Sequence, residues 1–259
     1  MTGPVRLEIK GAVGWITLNR PDNANAIDLP LSCALLAAVN ACDADAAVRC
    51  VVLTGAGRLF CGGGDVAAFA AAGDDVGQLI AAITANVNAT VSRLMRMEKP
   101  LVTAINGPTA GAGLGLAVSG DIALAVPSAN FTLGYCALGL SPDAGATWFL
   151  PRLIGMRCAQ EMALVGRRLT ADEAVAANLI TRLVDQGRLE DEAHAVASTL
   201  EALPIGAIAA TRALLLAGQS NTLETQLEVE ARAIGRLSRE PNGREGARAF
   251  SQRRKPAFL

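Results

Sequence analysis

Four glycines fall within nine residues, Gly107 to Gly115, inside the stretch Ile105-Asn106-Gly107-Pro108-Thr109-Ala110-Gly111-Ala112-Gly113-Leu114-Gly115-Leu116. Apolar runs at 101–105 and 122–126 flank it, so the glycines interrupt buried structure and do not belong to a linker. Ordered glycine costs backbone entropy; such density is best explained if something approaches the backbone closely where a helix begins. There, unpaired amides and the positive end of the helix dipole face outward and can hold an oxygen that carries negative charge. A second glycine-dense corner, residues 54–65, also follows an apolar strand. It ends in Asp65, a suitable cap for the next helix, which leaves the Gly64 amide at its mouth.

The chain of 259 residues can bury one large core, with or without a helical appendage. Half of it is apolar and aromatics are few, which suits an α/β protein with close helix packing. A net charge of -1 supplies no field for nucleic acid or an anionic membrane, and one His among few aromatics argues against a base-stacking surface. Residues 1–10 alternate Val5, Leu7 and Ile9 with Arg6, Glu8 and Lys10, the pattern of a half-buried strand and not of a targeting signal. No run approaches the roughly 20 apolar residues of a membrane span, and a cytoplasmic location is expected. The six cysteines lack C-x-x-C spacing and His194 stands far along the chain, so no metal site is expected, only buried, reduced thiols.

Residues 5–9 and 13–18 read as a hairpin. Asp28 can cap the helix that follows. A polar segment, 74–88, is expected to lead into a helix that stops before Pro100. Thr170-x-x-Glu173 and Asn221-x-x-Glu224 read as capping boxes, and Asp121 as a turn cap. Strands and helices alternate to about residue 190, which favours an α/β core. Residues 1–190 are expected to form that core and 191–259 a helical region. From Arg232 onward eight basic residues face two acidic ones; a solvated helix face, a subunit contact or a phosphate seat are all open.

Taken together, Leu18-Asn19-Arg20-Pro21 with Asn25-Ala26, the corner to Asp65, the stretch Asn106 to Asp121, Gly139-Leu140-Ser141-Pro142-Asp143, Arg168-Leu169-Thr170-Ala171 and Glu245-Gly246-x-x-Ala249-Phe250 resemble the crotonase (enoyl-CoA hydratase/isomerase) superfamily over nearly the whole chain. The resemblance implies a spiral of ββα units with a carboxy-terminal helical region, homotrimers or hexamers, and an acyl-CoA thioester as ligand, with no cofactor beyond that CoA. It also implies that Gly64 and Ala112 supply two amides to a thioester oxygen.

Where hydratases of this family carry two glutamates, this chain has Gly115 and Tyr135. One carboxylate remains nearby, Asp143, in a context similar to the isomerase branch that interconverts ring-epoxide and oxepin CoA esters and shifts 3-enoyl double bonds. A single base suits a 1,3-proton shift. Residues alone would read Asp143 as a helix cap; the resemblance makes it the base, in an apolar pocket lined by Tyr135, Cys136, Leu138 and Trp148. For CoA, the resemblance implies contacts at Asp22, Ala24, Ala26, Gly62 and Val66. Asp22 stands where many relatives have lysine, which leaves Arg20 or the basic carboxy terminus to meet the phosphates. A hydratase or hydrolase with unusual water activation, or a catalytically silent acyl-CoA binder, are the alternative readings.

Overall fold

The computed structural model describes residues 3–258. The hairpin β1 (Val5–Lys10) and β2 (Val13–Leu18) turns at Gly11 and leads to α1 (Leu29–Ala44), whose cap Asp28 accepts from the Leu31 amide at 2.8 Å. Then follow β3 (Cys50–Gly55), α2 (Val66–Ala71), α3 (Val76–Arg96), β4 (Leu101–Ile105), β5 (Thr109–Ala110) and α4 (Ala112–Val118). The next elements are β6 (Ile122–Ala125), β7 (Asn130–Thr132), α5 (Ala146–Leu153), α6 (Gly155–Leu164), β8 (Leu169–Thr170), α7 (Ala171–Ala176) and β9 (Arg182–Leu183). Four helices end the chain: α8 (Leu189–Glu201), α9 (Ile205–Ala217), α10 (Leu223–Leu237) and α11 (Pro241–Ser251).

These elements wind as the expected ββα spiral. Six strands form one sheet in the order β1-β2-β3-β4-β6-β9, parallel from β2 onward, and β5, β7 and β8 form a smaller one. All residues of β2 and β4 are buried, as a sheet covered on both faces requires. Helices α1 and α3 pack on each other, and α8 lies against β2, β3, β4 and β6. No single helix among the described residues is long and apolar enough to cross a membrane.

Several local expectations are corrected. The polar segment 74–88 is itself mostly helix, because α3 begins at Val76. Its buried Ile83, Val87, Thr90, Val91 and Leu94 recur at helical spacing, while the intervening polar residues face outward. The cap of α10 is Thr222, which accepts from the Thr225 amide; Asn221 instead donates to Gln226. Asp121 caps no helix: it accepts from the Leu101 amide at 2.7 Å and pairs with the buried Arg212, which also reaches the last carbonyls of α3. Arg212 thereby fastens α9 to the core. Of the cysteines, Cys33 and Cys136 are exposed. The Thr170–Glu173 capping box is present.

Candidate active site

The first glycine corner is held from beneath by Asn25, fully buried and in the left-handed region at φ 53°. Its side-chain amide donates to the carbonyls of Ala56, Leu59 and Phe60, and its Oδ1 accepts from the Arg20 amide. Gly62 donates to the Ala24 carbonyl at 2.8 Å. On either side of Gly64, the Gly63 carbonyl accepts from Ile27 and the Asp65 amide donates to Ile27. Since adjacent groups of an extended chain point in alternate directions, the Gly64 N–H faces away from Ile27. Asp65 caps α2 through the Ala68 amide, as expected.

The second corner is laid over the first. Ala110 donates to the Cys61 carbonyl, Gly111 to the Thr132 carbonyl, and Gly111 (φ 52°, ψ -129°) turns the chain into α4. A β-carbon on Gly63 would lie 3.0 Å from the Ala110 carbonyl oxygen, and one on Gly113 2.6 Å from Cys61 Cβ. Glycine is therefore demanded by contact between the corners. Ala112 opens α4, so its N–H has no acceptor within the helix. Among the described residues, neither the Gly64 nor the Ala112 N–H donates to a protein acceptor.

Both amides line one cavity of about 560 Å³. Val66 and Phe69 wall it on one side, and Ile80, Thr84 and Asn88, at successive four-residue steps of α3, on another. Tyr135, Leu138 and Asp143 complete it. The half-buried Asp143 accepts from the Tyr135 hydroxyl at Oδ1 (2.5 Å) and from the Thr84 hydroxyl at Oδ2 (3.1 Å). Its side chain caps no helix, for α5 is entered through Gly145 at φ 75°. Burial first, and the Asp143 charge second, push the Tyr135 phenol far above its ordinary value, so it stays protonated and a donor.

Gly115 has no room for a side chain: a β-carbon there would sit 2.3 Å from the Ala144 carbonyl oxygen. The loop that carries Asp143 thus occupies the space a longer residue at 115 would need. Cys61, beside the first corner, is no reactive thiol, since burial raises it to about 12. His194 is exposed on α8, away from the cavity lining.

The structure brings Gly62, Gly64, Val66, Ala112, Tyr135 and Asp143 together on one cavity. It does not bring Trp148 there. Trp148 lines a separate cavity of about 910 Å³, packed under Arg152 at 4.4 Å, while Cys136 is exposed. Asp143 itself meets two hydroxyls, and of the lining expected around it Tyr135 and Leu138 are in place. Asp22 is exposed on a short 3-10 turn, and the carbonyls of Ala24 and Ala26 are taken by the Gly62 amide and the Arg20 guanidinium. Arg20 is also turned inward onto Asp28 and Asp65, so it is not free for a phosphate. Thr84 went unseen in the sequence; its one signal was the four-residue step from Ile80 to Asn88.

The sequence profile described as enoyl-CoA hydratase/isomerase matches residues 8–259. The chain belongs to the enoyl-CoA hydratase/isomerase family. It is 35% identical over 254 residues to the 1,2-epoxyphenylacetyl-CoA isomerase of Escherichia coli (strain K12), covering 96% of each chain. It is 37% identical over 254 residues to a Rhodobacter capsulatus protein named "Probable enoyl-CoA hydratase", covering 98% of this chain and 97% of that one. Among solved structures, an enoyl-CoA hydratase from Polaromonas sp. JS666 superposes with a TM-score of 0.94 at 30% identity, over 98% of this chain and 99% of that one. The protein is an enzyme of this family, and relatives named for isomerisation and for hydration stand equally near.

Proposed function

We propose that this enzyme isomerises an unsaturated acyl-CoA, of the 3-enoyl to 2-enoyl or the ring-epoxide/oxepin type, with Asp143 as the proton shuttle. Removing a proton from C2 next to a thioester places negative charge on the carbonyl oxygen. The Gly64 and Ala112 amides are oriented to receive it, and each preorganised donor contributes roughly 3 to 4 kcal/mol to such a transition state. The observation that carries the reading is the sharing of one cavity by Asp143 and the two unpaired amides, while Gly115 admits no side chain. Each Asp143 oxygen accepts one hydrogen bond and keeps a further lone pair for a substrate proton. The reaction is redox-neutral and calls for nothing beyond the CoA of the substrate.

The test is Asp143→Asn, offered 3-enoyl-CoA and 2-enoyl-CoA. The double-bond shift should fall by about 10²- to 10⁴-fold, the range of general acid–base catalysis, with CoA ester binding kept. Isomerisation at the wild-type rate would remove the assignment. Hydration of 2-enoyl-CoA would favour the hydratase reading, and binding without turnover of any ester a silent binder. We also read the exposed Leu223, Leu227 and Ile234 on one face of α10, with Leu215 and Phe250, as a contact between copies in a trimer or hexamer. Light scattering of the eluted protein at monomer mass would overturn that.

A further inference from the structure

We infer that Tyr135 is a positioning residue for Asp143, holding Oδ1 so that Oδ2 is the oxygen that takes and returns the proton; this rests on the isomerase reading above. The 2.5 Å Tyr135–Oδ1 bond is at the short end of hydroxyl–carboxylate bonds. Tyr135 remains a donor because burial and the neighbouring carboxylate both oppose its ionisation. An oxygen already engaged by a short bond is the less basic of the pair. Oδ2 meets only the longer bond from Thr84, whose hydroxyl can reverse from donor to acceptor once Oδ2 carries a proton. A β-carbon on Gly111 would lie 3.7 Å from the Tyr135 hydroxyl, so this one phenol stands against both the acid and the turn that presents the Ala112 amide.

The step balances without a co-reactant. The C2–H bond breaks, its proton goes to Oδ2, and its electron pair delocalises into a dienolate with the charge on the thioester oxygen. The proton then bonds to C4, the carbonyl re-forms and the double bond lies between C2 and C3. Tyr135 exchanges no proton with substrate; it fixes the plane in which Oδ2 faces C2 and C4. Misplacement of a base by about 1 Å can cost on the order of 100-fold.

The experiment compares wild type, Tyr135→Phe, Asp143→Asn and the double variant on 3-enoyl-CoA. Tyr135→Phe should lower kcat by about 10- to 100-fold with KM within about 2-fold, and the double variant should be no slower than Asp143→Asn alone. The chain has a single tyrosine, so its alkaline absorbance change reports Tyr135 alone. In Asp143→Asn that change should move to lower pH, a readout that does not require the Tyr135 variant to fold. Wild-type kcat in Tyr135→Phe, an additive loss in the double variant, or an unmoved tyrosine titration would each overturn the inference. If Asp143→Asn retains isomerisation, the underlying reading fails; if it loses it while Tyr135→Phe does not, only the role of Tyr135 fails.

Discussion

The two sides of the cavity are built from different material. On one side stand the Gly64 and Ala112 amides, main-chain groups held by glycine contacts and by the buried Asn25. On the other stand Asp143, Tyr135 and Thr84, side chains from α3 and from the loop between β7 and α5, joined by hydroxyl–carboxylate bonds. A main-chain donor survives a change of side chain at its own position but not a change in the packing that aims it. The acid side has the opposite sensitivity, for each group there is a side chain and is lost with it. Gly115 is where the two sides meet, since α4 follows the second corner and Ala144 follows Asp143.

The sharpest way to break this contrast is Gly115→Ala. A β-carbon 2.3 Å from a main-chain oxygen forces Ala144 away and Asp143 with it. Stability should drop by about 2 to 3 kcal/mol in urea unfolding, with isomerisation falling at the same time. Asn25→Ala removes the support of the amide side. With the part-buried Ala56 and the buried Phe60 carbonyls left short of a donor, a loss of about 2 kcal/mol is expected, and kcat should fall although no side chain in the cavity has changed.

Alkaline pH should give a graded effect. Cys42, Cys50 and Cys61 are raised from 9.0 to about 11, 12 and 12 by burial, and Tyr135 is raised from 10.0. All four groups are protonated in both folded and unfolded chains below about pH 9, so they add no pH dependence there. Above it the unfolded chain gives up these protons first, and stability should fall as pH rises through 9 to 11. Unfolding midpoints flat across that window would contradict the burial of these groups. The smallest change is expected for Ala112→Gly, which keeps the amide. Activity should stay within a few-fold, with at most about 1 kcal/mol lost from helix propensity, as steady-state kinetics and urea melts can check.

Much of this was legible in residue order. The hairpin, the Asp28 and Asp65 caps, the Thr170 capping box and both glycine corners depend on local rules: turn chemistry, capping and the close approach that glycine alone permits. The start of α3 is hidden in residue order because polar residues on its outer face mask the buried stripe of Ile83, Val87 and Leu94. Asp121 looks like a local cap in residue order because its partner, Arg212, lies 91 residues away. Trp148 is expected in the Asp143 cavity, yet α5 turns its ring toward the space shared with α9.

Linear order was sufficient for the glycine corners and the helix caps because those features follow from backbone conformation, and a glycine or a cap declares the conformation it allows. The company kept by Asp143 was another matter. That Thr84, 59 residues away, and Tyr135 divide its two oxygens, and that Ala144 closes the space over Gly115, follows from how α3, α4 and the 135–145 loop pack. Side-chain partnership across a cavity depends on distances between elements, which no local pattern encodes.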